Sequence, residues 1–502
     1  MIVDAHVHAL GRPGRDVLAE TVRQCRLNGV SAVLVSLGDR LYAYPSSEQI
    51  VRSNDAACRF VRDSGGLGHL LAHLSPQDPR WREELDRCVN NLGAVGVKLW
   101  CSFKDPDGGM GNVVPLLREC GRRGLPVLMH TFQKTCGNLP GEITLPEFAA
   151  LAEAAPDTQM IGAHAGGNWR HSLGVLADRL PNAHVDCGGF FPEQTAVAAL
   201  TADLGAERVL FGSDLIGNTQ AGQMAKVVFA DIPDAEKALV LGGNAARLFG
   251  LQDVPPGPAG PLRPLEDLPD ASTEHFCFVG AWPYYEGPWV TAQELDGLLA
   301  AAGIETAYTG DFATLFRQDL ERANSRFLEA AAGCGRIAPL ATLNPLAHNW
   351  RSTLRRLRDG FAGVLVFPYM HNWQLDAPEH ADFFRALADA RLPVWINCAL
   401  ADDRARHSGL ASRPVTSSEV VSFCRTAPAN DYVFQGLGGH VAAQALAEAA
   451  DAARLRFEVS RLTDSTFAWD DFVNAHGRDN LVMGSEFPLR HLQETRWAAR
   501  RT

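Results

Sequence analysis

Five side chains in the first half of this 502-residue chain have the types and order to hold a metal ion: His6 and His8 within Asp4-Ala5-His6-Val7-His8, then His130, His164 and Asp214. Each ends or directly follows a short apolar run. Alternate residues of a strand project to the same side, so His6 and His8 present two imidazoles together. Neutral imidazole nitrogen with one carboxylate oxygen suits zinc, and also manganese or iron. An ion held this way keeps a position for water, lowers that water's pKa toward neutrality and can polarise a carbonyl oxygen. A lone histidine at a strand end is usually a hydrogen-bonded core or surface residue, and His69, His73, His171 and His184 are read that way. The ordered set of five is not.

The elements that must bring these residues together follow from the apolar pattern. Short apolar runs at residues 2–6, 31–36, 69–73, 95–100, 126–130, 159–164, 183–187 and 208–214 predict strands buried on both faces. Helical periodicity between them, as at 17–28, 81–91, 113–124, 145–155 and 194–204, predicts alternation of strand and helix. Eight such units in about 250 residues fit an α/β fold of the (β/α)8 barrel type. In that barrel the carboxyl ends of all strands open on one face, where the five side chains would meet.

A stretch containing Pro255, Pro256, Pro258, Pro261 and Pro264 cannot hold a helix or a central strand and reads as a linker over 251–273. It divides residues 1–250 from residues 274–502. The second part repeats the order of the first at an offset of about 270 residues. Gly29-Val30-Ser31-Ala32-Val33 matches Gly303-Ile304-Glu305-Thr306-Ala307, Leu125-Pro126-Val127-Leu128-Met129-His130 matches Leu392-Pro393-Val394-Trp395-Ile396-Asn397, and Phe211-Gly212-Ser213-Asp214 matches Met483-Gly484-Ser485-Glu486. The expectation is two tandem barrels. The second is degenerate: Trp282-Pro283-Tyr284, Asn397 and Gly436 stand at the ligand positions, and Glu486 alone keeps a carboxylate. It is also truncated, stopping soon after Arg490 where the first runs on through Asn244-Ala245-Ala246-Arg247-Leu248-Phe249. Asparagine with one carboxylate is a poor zinc site, so residues 274–502 read as a catalytically silent barrel with a structural or gating role.

Composition sets the class. Hydrophobic residues make up 46% and charged residues 21%, and the net charge is −12. An acidic chain argues against nucleic acid or an anionic membrane as partner, and a small molecule is the expected ligand. Eleven cysteines lie scattered without a CxxC pair. With no signal-peptide pattern and no apolar run long enough to span a bilayer, they point to free thiols and a cytoplasmic setting.

The ordered motifs resemble the amidohydrolase superfamily, in the branch that contains aminocarboxymuconate-semialdehyde decarboxylase with related lactonases, hydratases and decarboxylases. The residues that carry the resemblance are Asp4-Ala5-His6-Val7-His8, Gly96-Val97-Lys98-Leu99, His130, His164-Ala165-Gly166-Gly167, Gly212-Ser213-Asp214 and Gly243-Asn244-Ala245-Ala246-Arg247-Leu248-Phe249. The resemblance implies one divalent ion, zinc first, on His6, His8, His130 and Asp214. It gives His164 and Asp214 the acid–base work. Lys98 is expected to contribute positive charge for an anionic substrate group. A carboxylated Lys98 bridging two metals, as in dihydroorotases, is the alternative. Arg40 is a candidate carboxylate clamp and Trp100 a candidate substrate wall.

The first expectation for the reaction is hydrolysis of an amide, lactone or ester in a small carboxylate-bearing substrate. Non-oxidative decarboxylation on the same site is the second, and a non-enzymatic scaffold the third. Because relatives pair as dimers that share an arginine, the silent barrel is expected to act as an internal pseudo-dimer partner, with Arg461 and Arg490 as candidates for the lent charge. Further homo-oligomerisation stays open.

Overall fold

The computed structural model describes all residues except 40, 101–103, 105–107, 168–175, 177–179, 190–192, 258–259, 285–288, 358–359, 405–406, 408 and 411. Arg40 and His171 therefore lie outside the described residues. The chain divides into two compact units. The first is Met1–Leu262 with Asp402–Arg406 and Arg501–Thr502, and the second is Arg263–Ala401 with His407–Arg500.

In the first unit eight parallel strands follow one another in chain order: β1 (Val3–His8), β2 (Ala32–Ser36), β3 (Gly68–Leu74), β4 (Gly96–Leu99), β5 (Val127–Met129), β6 (Met160–Gly162), β7 (Ala183–Asp186) and β8 (Val209–Leu210). The sheet closes on itself: the Ala5 amide donates to Phe211 O at 3.0 Å and the Asp214 amide to His6 O at 2.8 Å. Val3, Ala5, Leu34, Leu71, Leu128, Ile161 and Leu210 fill the core beneath the open face.

Local signals set the connecting helices. Asp16 caps Val17–Asn28, and Gly29 ends it in the left-handed region at φ 67°. Ser46 with Gln49, and Thr144 with Glu147, form capping boxes at the starts of Ser47–Asp63 and Leu145–Ala154. The strands that carry the later ligands are shorter than the apolar runs predict. β5 and β6 have 3 residues each and β8 has 2. His130, His164 and Asp214 thus stand just beyond the ladder on irregular backbone.

The second unit repeats the arrangement with β9 (Thr273–Val279), β10 (Thr306–Asp311), β11 (Ile337–Thr342), β12 (Gly363–Val366), β13 (Val394–Asn397), β14 (Tyr432–Gln435), β15 (Leu455–Glu458) and β16 (Leu481–Val482). Its closing seam corrects the expected correspondence. The Glu486 amide donates to Phe276 O as the Asp214 amide does to His6 O, and Ser485 N binds Glu274 Oε1 as Ser213 N binds Asp4 Oδ1. Phe276 and Phe278, not Trp282 and Tyr284, therefore occupy the places of His6 and His8. The side-chain period of two leaves no freedom once that seam is set. Phe278 stacks on Phe312 with centroids 4.5 Å apart, and Trp282 and Tyr284 pack beyond the strand end against Phe316.

The two arginines expected to lend charge are held inside this unit. Arg490 is fully buried between Asp464 and Glu494, and Arg461 pairs with Glu486 at 3.1 Å.

Glu458 ends β15 fully buried, accepting from Ser460 N and, at 2.9 Å, from Ser460 Oγ. Burial drives its pKa up to about 8, against these hydrogen bonds and with the help of Glu274 and Glu486. The folded state then keeps a proton that the unfolded chain sheds above its ordinary carboxylate pKa. The resulting stability is present in acid and is lost as pH rises to about 8. Glu458→Gln, which mimics the protonated acid, should melt several degrees above wild type at pH 9, and the two curves should converge near pH 4.5. Thermal melts across that range check it.

Candidate metal centre

β1 places His6 and His8 on the inward face, both buried. Asp214 follows β8 with φ 57° and His164 follows β6 with φ 61°. Both are non-glycine residues in the left-handed region, a backbone state that costs roughly 1–3 kcal/mol and persists where surrounding contacts impose it. For Asp214 the contact is its amide bond to His6 O. For His164 it is the Asp186 carboxylate, whose Oδ1 accepts the His164 amide at 3.0 Å. Backbone also crowds the site from below: a Cβ on Gly212 would lie 2.8 Å from His6 Cβ, so only glycine fits there.

The side chains converge. His6 Nε2 lies 3.2 Å from His8 Nε2, His8 Nε2 lies 3.1 Å from Asp214 Oδ1, and His6 Nε2 lies 3.7 Å from the same oxygen. His164 Nε2 faces His130 Nδ1 at 3.3 Å, and the His6 and His164 rings have centroids 5.0 Å apart. Among the described residues, two donor groups have ligand atoms within 4.8 Å of one another: His6 with His8 and Asp214, and His6 with His164 and Asp186. His130 joins neither group directly and reaches them through His164.

The outer ring nitrogens decide which inner ones carry lone pairs. His6 Nδ1 donates to Asp186 Oδ2 at 3.0 Å, His130 Nε2 to Glu142 Oε1 at 2.8 Å and His164 Nδ1 to Gly188 O at 2.9 Å. His8 Nδ1 meets Ser36 Oγ at 3.1 Å. In the neutral rings this leaves His6 Nε2, His130 Nδ1 and His164 Nε2 as acceptors turned toward one another and toward Asp214. Acceptors at such separations repel unless a cation or proton lies among them. Tetrahedral zinc at its usual bond lengths sets ligand edges of about 3.3 Å. The triangle of His6, His8 and Asp214 matches that edge, so the residues present fit a divalent ion.

Electrostatics point the same way. Burial lowers the pKa of His8 and of His164 to about 3, so both are free bases at neutral pH. Burial alone would raise the Asp214 carboxyl, but the His8 hydrogen bond and the neighbouring imidazoles hold it well below the usual carboxylate range. Asp186 and Glu142 are likewise kept ionised, each at about 2 against the opposing effect of burial.

Lys98, on β4, is completely buried with Nζ 2.7 Å from His6 Nε2. Burial lowers its pKa to about 8, which Asp186 and Asp214 partly oppose. It is a cation at the floor of the site and contends for the lone pair that a metal would take. Trp100, just past β4, has its ring 6.2 Å from that of His130, at the wall.

Four residues of the site escaped the sequence reading. Asp186 and Glu142 are outer partners of the histidines. Lys134 pairs with Glu142 at 2.7 Å. Arg404, in the Asp402–Arg406 segment of the first unit, donates from Nη2 to Gly189 O at 3.0 Å. Its guanidinium lies 4.6 Å from the Phe132 ring centroid and pairs with Asp402 at 2.8 Å; against burial, that pair first and then Asp214 and Glu142 raise its pKa. Asp186 had a sequence signal: it ends an apolar strand as His6 does. Arg404 had none, because it is distant in the chain and sits in no motif.

The amidohydrolase family profile matches residues 3–251. A 2-amino-3-carboxymuconate-6-semialdehyde decarboxylase from Dictyostelium discoideum is 23% identical over 240 residues, covering 40% of this chain and 64% of the relative, less than two thirds of its length. Among solved structures, a 2,6-dihydroxybenzoate decarboxylase from Rhizobium is 19% identical, with 50% of this chain and 98% of that chain covered and a TM-score of 0.42. A dihydroxybenzoic acid decarboxylase from a Polaromonas species, with bound manganese, is 17% identical over 50% of this chain and 97% of that chain, with a TM-score of 0.41. The metal-site motifs, the closed barrel and the family match coincide on the same residues, and residues 3–251 of this chain belong to the amidohydrolase family.

Proposed function

We propose that the first unit is a metal-dependent, non-oxidative decarboxylase of a small carboxylate substrate. The observation that carries the reading is a cluster of buried imidazoles and one carboxylate, fit for a divalent ion, with the cations Lys98 and Arg404 beside it. The curated relative named above as a decarboxylase supports lyase chemistry over the hydrolysis first expected from the motifs. Hydrolysis remains the second reading, since the same ion could activate water.

His6, His8 and Asp214 would hold the ion, with His130 alongside; zinc is the first candidate and manganese the second. An ion held there would supply Lewis acidity toward the substrate's carboxylate. Arg404, held by Asp402 and Gly189 O, would add positive charge for a substrate carboxylate, and Lys98 adds charge from below. His164 meets the site as a free base with Nδ1 fixed on Gly188 O. Its Nε2 takes up a proton from solvent and delivers it to the carbon that bears the leaving carboxylate. The carbon–carboxyl bond then breaks, its electron pair returns through the substrate, and carbon dioxide departs. Proton gained at carbon and carbon dioxide lost balance the step. The second unit, with Phe276, Phe278, Asn397, Gly436 and Leu365 at the positions of His6, His8, His130, His164 and Lys98, takes no part in this chemistry.

His8→Ala and Asp214→Ala should each lower bound metal from about one ion per chain to a small fraction and cut turnover by about a thousandfold or more. Elemental analysis beside single-turnover assays reads both effects; a fully active, metal-free variant would end the proposal. Reaction in oxygen-18 water should release carbon dioxide and leave no label in the organic product, whereas label in a new carboxyl or hydroxyl group would select hydrolysis. Arg404→Ala should raise KM for the carboxylate substrate about tenfold or more while kcat changes little, as expected for a lost charge-assisted pair.

A further inference from the structure

Among the described residues, Asp186 is the one fully buried carboxylate that touches both a proposed metal ligand and the proposed acid–base histidine. Its two oxygens are used differently. Oδ2 accepts from His6 Nδ1 at 3.0 Å. Oδ1 accepts two backbone amides, His164 N at 3.0 Å and Gly188 N at 2.9 Å. Gly188 in turn offers its carbonyl to His164 Nδ1 at 2.9 Å. One side chain is therefore linked to the ring of His6, to the left-handed backbone of His164 and to the loop that orients the His164 ring.

We propose that Asp186 is the positioning residue of this site, holding His6 in the Nδ1–H tautomer so that Nε2 is the ligand atom, and fixing His164 in the geometry that aims its Nε2 at the same point. The proposal rests on the metal reading given above. The corresponding carboxylate of the second unit, Glu458, supports it by contrast. Phe276 stands there in place of His6; Glu458 keeps the two backbone contacts, from Ser460 N and, at 3.5 Å, from Gly436 N, and takes the Ser460 hydroxyl where Asp186 takes the ring of His6. The backbone contacts thus belong to the fold in both units, and the bond to an imidazole is what distinguishes Asp186.

The hydrogen-bond arithmetic makes Asp186→Asn a sharp test. The single amide oxygen is claimed by the two backbone N–H donors, so the amide nitrogen must face His6 Nδ1. A donor there forces Nδ1 to accept, moves the ring proton to Nε2 and removes the lone pair that would bind metal. Fold contacts are kept and the ligand atom is lost. Zinc affinity, measured by chelator competition, should fall about 10- to 100-fold, while the zinc-free variant melts within a few degrees of wild type. Ser36→Ala, which removes the neutral partner of His8 Nδ1 and imposes no wrong tautomer, should lose clearly less.

Nitrogen-15 histidine spectra of the zinc-loaded wild type provide a readout that does not depend on the variant folding. They should show His6 protonated at Nδ1 and metal-shifted at Nε2. Unchanged zinc affinity in Asp186→Asn, or a wild-type His6 with its proton on Nε2, overturns the proposal and leaves the metal reading standing. Two zinc ions per wild-type chain falling to one in the variant also overturns it, because Asp186 would then be a ligand itself. Wild type that takes up no zinc, manganese or iron overturns the metal reading and this inference with it.

Discussion

The seam that closes the first barrel is the constraint on which the site depends. The Asp214 amide donates to His6 O at 2.8 Å, and the Ala5 amide to Phe211 O at 3.0 Å. These bonds tie the two ends of an eight-stranded sheet, and the same bonds bring a carboxylate from residue 214 against imidazoles from residues 6 and 8. Asp4, wholly buried behind them, accepts from Ser213 N and Oγ and from Gln220. Burial raises its pKa to about 6, which those bonds only partly offset. A chain that opened this seam would lose fold closure and ligand geometry together, so stability and site assembly are one event here.

The second unit shows what the seam does when the chemistry is absent. Glu274, Ser485 and Glu486 keep the closing hydrogen bonds, and Glu486 keeps the left-handed backbone of Asp214 at φ 59°. The inward histidines have become phenylalanines. Burying aromatic surface favours the barrel by roughly 1.5–3 kcal/mol per side chain, whereas clustered acceptors without an ion cost free energy. The strained residue persists although no ligand set surrounds it. Seam geometry, and not metal binding, therefore imposes that conformation, and in the first unit the candidate site uses a backbone state the fold already requires.

Much of this was legible in the sequence, and the reasons it was differ by level. Buried parallel strands are short apolar runs, so β1 to β4 and the helices between them follow from pattern and caps such as Asp16, Gly29 and Ser46. The tandem repeat followed from matched strand ends. The register of β9 did not. Aligning Trp282-Pro283-Tyr284 with the histidine motif sought polar or large residues beyond the strand, where the true equivalents, Phe276 and Phe278, lie inside it. The matching signal was Glu274 at an alternating spacing from both, a carboxylate whose bond to Ser485 is invisible until the barrel closes. Site residues carried on strand ends could be read. Glu142 and Lys134, on the loop after β5, and Arg404, from a distant stretch, are placed by tertiary contacts that leave no local periodicity.

The outer partners of the histidines separate what each can do. His6 and His130 donate to carboxylates, Asp186 and Glu142. An ionised acceptor makes the inner nitrogen more electron-rich and holds the ring against rotation, which favours tight ligation. His164 donates to a neutral carbonyl. Its inner nitrogen is less basic, and burial lowers its pKa to about 3, so a proton taken up there is readily given away. In the roles proposed above, a ring that holds an ion and one that passes a proton need opposite tuning. The neighbours supply it: Asp186 backs the ring of His6 but reaches only the amide of His164. For His6 and His164 the proposed division of roles thus tracks the acceptor each ring meets; His8, backed by the neutral Ser36 hydroxyl and with its pKa also lowered to about 3, is placed as a ligand by its contact with Asp214 instead.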